Sequence, residues 1–371
     1  MRKGLSVLLS LLLLLGAIPV SAASEPSVSS LSAVLYEPTS GRVLYAKDAD
    51  TRRPMASTTK LMTALLAAEA LPSDRVIAVS EAAVAVEGSS MGLRAGDRLT
   101  VRDLMAGLLL SSGNDAANAL ALAVDGSLAA FAERMNAKAA SLGMTNTVFV
   151  TPSGLDEGEH GSSARDMALL GAAVLKQPPV AELCAAKQAT VTMGGSKVTL
   201  RNHNRLLWLY EDAIGLKTGY TKKSGKCLVS AAERDGVTLV AVTLNGGDYW
   251  NDHMRLFEYG FSVTETVQPT VPTLPKVAVC GGEAASVSLT ASPPAVVLTA
   301  GEKLDLEWEL PPFVWAPIRE GEPIGVLRCK TAERVVTEVP ITACEGVAER
   351  AAWSFGKRWR QQVCLLLAAL V

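Results

Sequence analysis

A serine and a lysine stand three positions apart in an apolar, otherwise uncharged stretch of the chain. Between Arg53 and Glu69 the only charged side chain is Lys60, and Ser57 precedes it. Positions three apart share one face of a helix, so the two side chains can touch. A lysine in apolar surroundings loses hydration, which lowers its pKa, and a neutral lysine can accept the proton of a serine hydroxyl. Taken alone the pattern is weak, because a lysine that reaches solvent from a helix explains it better.

A second polar group lies between two helical stretches. The run Ser111-Ser112-Gly113-Asn114-Asp115 offers the hydroxyl of Ser112 and the amide of Asn114 on a short loop. Such a loop can serve a reaction centre, but it can also be an ordinary polar connection between helices. Its meaning depends on what else the chain carries.

A third group, Lys217-Thr218-Gly219, comes before the late strands at 227–232 and 237–244. A second lysine near the first would further disfavour a charge on Lys60 and could bind a carboxylate, while small neighbours let a peptide lie along a strand edge. A solvated start of a strand would also explain the triplet. The three groups in this order, however, form the pattern of penicillin-binding proteins and class A β-lactamases.

The chain resembles the low-molecular-weight D-alanyl-D-alanine carboxypeptidases, the S11 family of serine peptidases, over nearly the whole mature protein. The most specific stretches are Pro54-Met55-Ala56-Ser57-Thr58-Thr59-Lys60, Ser112-Gly113-Asn114-Asp115-Ala116-Ala117 and Gly215-Leu216-Lys217-Thr218-Gly219-Tyr220-Thr221. Further support comes from Ser90-Met91-Gly92-Leu93 with Gly96-Asp97, and from Gly154-Leu155 with His160, Ala164 and Asp166.

The resemblance implies an acyl-transfer mechanism. Ser57 would be the acylated nucleophile and Lys60 its base, and Ser112 would relay a proton to the leaving D-alanine. The oxyanion would lie between the backbone N–H groups of Ser57 and Tyr220.

The resemblance also implies how substrate is held. Asn114 would steady the substrate amide, and Lys217 with Thr218 would bind the terminal carboxylate beside Gly219. The substrate would be a peptidoglycan stem peptide ending in D-Ala-D-Ala, β-lactams would be covalent inhibitors, and no metal or organic cofactor is implied.

Two positions depart from the family pattern. Family members usually have asparagine before the proline of the Phe-x-Asn-Pro-x-Gly-Leu stretch, whereas Thr151 stands before Pro152 here. Several members carry a carboxylate-binding arginine on the loop after the late strands, and Gly246-Gly247-Asp248-Tyr249 has none. The second departure concerns the selectivity for a carboxylate.

Three alternative functions remain open at this level. A β-lactamase shares the nucleophile, but the carboxylates of Asp156-Glu157-Gly158-Glu159 do not form an assignable deacylation pattern. A D,D-endopeptidase of the same fold would use the same residues. A non-catalytic wall-binding scaffold would be expected to lack one of Ser57, Lys60 and Lys217, and all three are present.

The order of the elements predicts an α+β fold. Two strands around 33–45, a helical middle and two strands at 227–232 and 237–244 indicate a transpeptidase-like antiparallel sheet covered by helices. Within the helical middle, Thr100-Val101-Arg102-Asp103 resembles a capping box that opens a helix ending at Leu110.

The chain divides by composition into five segments. A charged start, an apolar run and small residues at Val20-Ser21-Ala22 predict a cleaved signal peptide and export, to the outer face of the cytoplasmic membrane or the cell wall. The expected segments are a signal peptide at 1–23, the catalytic domain at 30–263, a proline-rich linker at 264–275, a small all-β domain at 276–345 and an amphipathic tail at 347–371.

The tail is expected to be a helix that lies on a membrane surface. Phe355, Trp359 and Val363 recur at steps of four, with Lys357 and Arg358 elsewhere on the wheel. A helix packed against its own domain would show the same pattern. The net charge of −2 provides no field that would recruit nucleic acid.

The remaining nucleophiles and histidines receive no catalytic role. Cys227 is expected to point into the core from a strand, His160 to order a loop, and His203 to lie at the surface or the rim of a cleft. The six cysteines form no zinc pattern with the three histidines. Buried free thiols are preferred over a disulfide between Cys280 and Cys329 or Cys344.

Overall fold

The computed structural model describes residues 24–350, which form two compact units. The first unit comprises 24–36, 43–233 and 239–263; the second comprises the hairpin tips Glu37–Arg42 and Arg234–Thr238 together with the chain from Thr264. The predicted signal peptide at 1–23 and the tail from residue 351 lie outside the described residues.

A five-stranded sheet forms the centre of the first unit. Its order is β2-β1-β9-β8-β7, and β1 pairs antiparallel with β9 as β7 does with β8. The strands are β1 Ser32–Glu37, β2 Arg42–Lys47, β7 Ala213–Thr221, β8 Gly225–Arg234 and β9 Val237–Gly246. Two small hairpins pair β3 Val76–Ala78 with β4 Arg98–Thr100, and β5 Gln188–Met193 with β6 Ser196–Arg201. This is the predicted α+β class, and the late strands fall where the apolar runs place them.

Helices cover both faces of this sheet, so its central strands are apolar on both sides. The helices are α1 Lys60–Ala70, α2 Glu81–Val84, α3 Val101–Leu110, α4 Asn114–Asp125, α5 Leu128–Ser141, α6 Ala164–Leu175, α7 Pro178–Ala185, α8 Leu206–Leu209 and α9 Tyr249–Ser262. A Cβ on Gly171 of α6 would lie 2.9 Å from Val240, and one on Gly260 of α9 would lie 2.7 Å from Leu35 on the opposite face. Both helices therefore approach the sheet at a glycine.

The second unit is built from short strands around a small apolar core. Three sheets pair β10 with β14, order β12-β11-β16, and order β13-β18-β17-β15. The strands are β10 Thr264–Val267, β11 Val277–Cys280, β12 Ser286–Val287, β13 Leu289–Thr290, β14 Val296–Thr299, β15 Asp305–Glu309, β16 Phe313–Trp315, β17 Pro323–Lys330 and β18 Val335–Ala343. The prolines between β10 and β11 carry no regular structure, because proline cannot donate to a strand ladder.

The structure differs from the sequence-based boundaries at three places. Thr264–Val267 form a strand of the second unit, although they were expected to begin the linker. Val347 bridges to Ile318 and Glu349 to Gly282, so residues 347–350 are extended and not the start of the predicted tail helix. Residues 347–350 are extended because their backbone pairs with the second unit, although the sequence has helical periodicity. Lys217-Thr218-Gly219 precedes β8 and β9, as expected, but lies inside β7, a strand that was not among the predicted ones.

Within residues 24–350, helices are too short or too polar to cross a membrane.

The described cysteines are free thiols: Cys184, Cys227, Cys280, Cys329 and Cys344. Cys227 is fully buried on β8, as expected, and its burial raises its thiol pKa to about 11.

The predicted helix start at Thr100 is confirmed and should be measurable. The Thr100 hydroxyl accepts from the backbone N–H of Asp103 at 3.1 Å, at the beginning of α3. Thr100→Ala should lower the free energy of unfolding by about 0.5–2 kcal/mol because an N-cap acceptor is lost. Thermal unfolding should show a Tm lower by about 2–4 °C per kcal/mol.

Thr100→Ser is the matched control, since it keeps the hydroxyl that caps the helix. The serine variant should retain most of the stability. An equal loss in both variants would mean that packing of the threonine methyl, and not the cap, holds the beginning of α3.

Candidate active site

Ser57 and Lys60 lie where a short 3₁₀ turn runs into a buried helix. Ala56–Thr59 forms the turn and α1 begins at Lys60, so the three-residue spacing brings the side chains together. The distance between Lys60 Nζ and Ser57 Oγ is 2.8 Å. Ser57 is half-buried and remains accessible, whereas Lys60 is fully buried.

The hydrogen-bond partners of Lys60 Nζ determine whether its lone pair or its hydrogens point toward Ser57. Its Nζ donates to Asn114 Oδ1 at 2.7 Å and to the carbonyl oxygen of Ser153 at 2.6 Å. Neither oxygen can donate a proton. A neutral amine has two hydrogens and one lone pair, so these acceptors take both hydrogens and direct the lone pair toward the Ser57 hydroxyl. The arrangement can therefore remove the proton of Ser57.

Burial and a second positive charge favour the neutral form of Lys60. Burial is the main cause that lowers the pKa of Lys60 well below its usual value; the positive charge of Lys217 lowers it further, and Asp115 partly opposes both. Burial also lowers the pKa of Lys217, to about 8. Lys217 remains largely protonated near neutral pH, so one lysine can act as a base while the other supplies positive charge.

Lys217 lies at the inner side of the edge strand β7. Its Nζ donates to the carbonyl oxygen of Thr218 at 3.0 Å and lies 3.5 Å from Thr218 Oγ1. A Cβ on Gly219 would be 2.9 Å from Met55 O and 3.0 Å from Ser57 N. A larger residue at 219 would push β7 away from the nucleophile, which explains the glycine of the triplet.

Strained backbone surrounds the predicted site residues. Ala56 precedes Ser57 with φ +49°, Ser112 has φ +61°, and Leu216 precedes Lys217 with φ +77°. Left-handed backbone is unfavourable for alanine and leucine, and it persists only where packing imposes it. The other non-glycine residues with positive φ are of types that tolerate this region: Asp48, Asp235 and Asn245.

The loop of Ser112 and Asn114 is held by a buried carboxylate. Asp115 Oδ1 accepts from the backbone N–H of Met91 at 3.0 Å, and Asp115 Oδ2 accepts from that of Leu93 at the same distance. Asn114 Nδ2 donates to Glu87 O at 2.7 Å. The beginning of α4 and the segment 87–93 are thereby fixed to each other, which accounts for the Ser90-Met91-Gly92-Leu93 motif.

His160 fixes the backbone at 150–151, just before the turn whose Ser153 carbonyl faces Lys60. Its Nδ1 accepts from the backbone N–H of Val150 at 2.9 Å, so Nε2 carries the hydrogen and donates to Thr59 Oγ1 at 2.8 Å. Burial lowers the pKa of His160 to about 4, which keeps the ring neutral. The expectation that this histidine orders a loop is confirmed.

Thr151 replaces the usual asparagine without loss of the turn. Its Oγ1 accepts from the backbone N–H of Gly154 at 3.1 Å and lies 3.2 Å from Leu155 O. A Cβ on Gly154 would be 2.0 Å from Ala56 O, so this turn packs directly behind the nucleophile. The threonine hydroxyl supplies the local bonds that shape it.

The structure brings most of the sequence-predicted site residues into one cluster and adds two groups. Hydrogen bonds join Ser57, Lys60 and Asn114, and Lys217 acts on Lys60 through its charge. Ser112 lies on the adjoining loop. The residues missed from sequence are Ser153, which acts through a backbone carbonyl, and Asp115. Asp115 had a signal, since it stands in the Ser112-Gly113-Asn114-Asp115-Ala116-Ala117 stretch of the family pattern.

Fold and site together define a serine acyl-transfer enzyme of the penicillin-binding type. The sequence model of peptidase S11, described as D-alanyl-D-alanine carboxypeptidase, matches residues 19–248. The chain belongs to this family of D-alanyl-D-alanine carboxypeptidases. It is a serine hydrolase that binds penicillin. Among residues 24–350, histidine, cysteine and acidic side chains form no group of three that could hold a metal ion.

Similar proteins agree over nearly the full length. D-alanyl-D-alanine carboxypeptidase DacF of Bacillus subtilis is 33% identical and the match covers 96% of this chain and 98% of that protein. D-alanyl-D-alanine carboxypeptidase DacC of Escherichia coli is 34% identical over 90% of this chain and 88% of that protein. Penicillin-binding protein 5 of Haemophilus influenzae superposes with a TM-score of 0.69 at 28% identity, over 88% of this chain and all of that structure.

The pKa of Lys60 should determine the pH below which the rate of acylation falls, the acid limb of the pH–rate profile. Acylation requires the neutral amine, so its second-order rate constant with penicillin should fall as pH drops through the pKa of Lys60. Lys217→Met removes the positive charge that lowers this pKa. The acid limb should therefore move to higher pH in the variant, as measured by stopped-flow acylation between pH 5 and 10.

Lys60→Arg provides the comparison, because a guanidinium stays protonated in this range and cannot act as a base. It should lose acylation by at least about 10²-fold, in the range of general-base contributions. An acid limb that stays in place in Lys217→Met, or an active Lys60→Arg, would contradict the role given to Lys60.

Proposed function

We propose that Ser57, Lys60, Ser112, Asn114, Lys217, Thr218 and Gly219 form the active site for removal of the terminal D-alanine from stem peptides ending in D-Ala-D-Ala. The observation that carries this proposal is the lone-pair geometry of Lys60: two acceptors take its hydrogens and leave Ser57 Oγ at 2.8 Å.

In the first step, Ser57 Oγ attacks the carbonyl carbon of the penultimate D-alanine while its proton passes to Lys60 Nζ. The negative oxygen of the tetrahedral intermediate lies between the backbone N–H groups of Ser57 and Tyr220. The packing of Gly219 against Ser57 N supports this placement, because it brings β7 close to the nucleophile.

The C–N bond then breaks and the amine of D-alanine receives the proton through Ser112. Water afterwards hydrolyses the ester on Ser57 and restores the serine. Lys217 with Thr218 holds the free carboxylate of the leaving residue. Asn114 Nδ2 has two hydrogens, of which Glu87 O takes one, so the second is left for a carbonyl of the substrate.

A covalent adduct tests the nucleophile. Incubation with penicillin should add the mass of one β-lactam to the peptide that contains Ser57, because the acyl-enzyme forms by the same attack. Ser57→Ala should remove the adduct, and intact-protein and peptide mass spectrometry would measure both. Ser111→Ala, one position before the loop serine, is the matched control and should still be labelled.

The lifetime of the adduct separates the related activities. A persistent label supports the carboxypeptidase, since its penicilloyl ester hydrolyses slowly. Loss of the label within seconds would instead favour a β-lactamase, and labelling that persists in Ser57→Ala would refute the assignment of the nucleophile.

We further propose that the enzyme is exported through the segment 1–23 and associates with the outer face of the membrane through its tail. The support is the sequence pattern at Phe355, Trp359 and Val363, with basic residues between them. Trp and Phe favour the headgroup boundary, and nearby basic residues add about 1 kcal/mol each on an anionic leaflet.

A chain ending at Arg350 tests the tail. It keeps residues 347–350, which pair with the second unit, so it should fold, acylate normally and fail to float with anionic liposomes. The full chain should float with anionic liposomes and less with neutral ones. Full-length protein with Phe355→Ala and Trp359→Ala is the matched control for binding. Equal flotation of the two chain lengths would contradict the membrane role.

A further inference from the structure

Three aromatic side chains lie at the end of the central sheet where β7 ends and β8 begins. Tyr220 belongs to β7, and Tyr249 and Trp250 begin α9, which follows β9. All three are in the first unit, and together they are called the aromatic shelf. The acylation steps given above use the backbone N–H of Tyr220 but none of the three side chains.

The ring of Tyr220 points away from the nucleophile and stays in solvent. The neighbouring Gly219 faces Ser57, because a Cβ there would lie 3.0 Å from Ser57 N. Successive residues of a strand point to opposite faces, so Tyr220 points to the other face of the sheet. Tyr220 is 66% exposed. Lys226 pairs with it across β7 and β8, which makes the two side chains neighbours on that face.

Lys226 connects Tyr220 to the two rings of α9. Its Nζ lies 5.5 Å from the centre of the Tyr249 ring and donates to Gly247 O at 3.3 Å. The Tyr249 ring stacks on that of Trp250, with 4.3 Å between the ring centres. These contacts hold both rings in place. An ammonium has three hydrogens, so Lys226 can also donate to a ligand.

Exposed polar side chains border the shelf on both sides of its ring pair. Asp248 precedes Tyr249 and Asn251 follows Trp250, and Asn251 Nδ2 donates to Asp248 Oδ2 at 2.7 Å. The negative face of an aromatic ring attracts the C–H face of a sugar ring, whose hydroxyl groups need donors and acceptors around its edge. Rings bordered by an ammonium, a carboxylate and an amide meet both requirements.

The direction of the substrate leads the peptide toward this end of the sheet. Lys217 and Thr218 are assigned to the leaving carboxylate, and the N–H of Tyr220 to the oxyanion. The peptide that precedes the broken bond therefore continues past Tyr220 toward the end of β7. Because β7 is an edge strand, its outer side can pair with an extended peptide.

The length of the stem peptide matches the distance to the shelf. Three residues of a stem pentapeptide remain between the D-alanine on Ser57 and the sugar that carries the peptide, and when extended they span roughly 10 Å. From β7 to β9, after which the two rings of α9 follow, there are two strand spacings, also roughly 10 Å. The sugar is therefore within reach of Tyr249 and Trp250.

We propose that the aromatic shelf binds a sugar ring of the glycan strand that carries the stem peptide. The inference rests on the proposed function, because the direction of the substrate comes from that assignment. The sugar stacks on the ring of Trp250 beside Tyr249, and its hydroxyl and acetamido oxygens accept from Lys226. The shelf adds binding energy and takes no part in the making or breaking of bonds.

The test compares two substrates on the full chain: a free pentapeptide ending in D-Ala-D-Ala and the same pentapeptide on its disaccharide. A contact remote from the reacting atoms binds ground state and transition state alike, so it lowers KM and leaves kcat unchanged. The wild type should have a KM about 3- to 10-fold lower for the disaccharide peptide, as one aromatic stacking contact provides. Trp250→Ala should remove this difference and leave kcat and the KM for the free peptide unchanged.

Ring and charge are tested by separate variants. Trp250→Phe keeps an aromatic face and should retain part of the preference for the disaccharide peptide. Lys226→Met changes an exposed side chain, so it should fold normally and lower the preference through loss of a donor. Trp308→Ala removes an exposed tryptophan of the second unit; as the matched control it should leave both KM values unchanged.

The outcomes separate this inference from the proposed function. Equal KM values for the two substrates in the wild type would overturn the inference, while the carboxypeptidase assignment stands. A preference that persists in both Trp250→Ala and Lys226→Met would also overturn it, and so would an equal rise of both KM values in Trp250→Ala. If the wild type hydrolyses neither substrate, the proposed function fails and the inference fails with it.

Discussion

An uncharged amine at Lys60, held against an accessible hydroxyl, is the constraint on which the rest of the site depends. Water would protonate the amine, so Lys60 is fully buried, whereas Ser57 must meet substrate and stays half-buried. The two demands are reconciled at the junction between the 3₁₀ turn and α1. Asn114 and the carbonyl of Ser153 direct the lone pair of this amine, and the charge of Lys217 lowers its affinity for a proton.

The same constraint explains why the backbone is strained where the chemistry lies. Ala56, directly before the nucleophile, adopts a positive φ, and Gly219 and Gly154 permit close approach from two sides. Left-handed backbone at alanine or leucine is unfavourable by roughly 1–2 kcal/mol per residue. The packed helices and sheet of the first unit must supply this energy. Stability and function therefore compete at these positions.

The two positions that depart from the family pattern can be described by the groups that surround them in the structure. At Thr151 a hydroxyl makes the turn bonds that an asparagine side chain would otherwise make. At the loop ending in Tyr249 no arginine is present, and the positive charge of Arg205, from another segment, acts against the burial that raises the pKa of Tyr249.

The sequence by itself determined the chemistry and the class of fold. The order of Ser57, Lys60, Ser112, Lys217 and their neighbours identified the family, and apolar runs placed the paired strands β8 and β9 within a few residues. Local patterns suffice there because helix spacing, capping at Thr100 and strand runs are properties of neighbouring residues. The bounds of β7, the strand that holds Lys217, were not predicted, because a lysine in a short run does not show from sequence whether the strand is buried or solvated.

Only the tertiary structure decided which oxygens surround the Lys60 amine. Ser153 acts through a backbone carbonyl, which every residue possesses, so no residue type could have marked it. Asn114, Ser153 and Lys217 are distant from Lys60 in the chain, and their approach depends on how α1, α4 and β7 pack. The pKa of Lys60 is a property of that packing, because desolvation and the charge of Lys217 exist only in the folded chain.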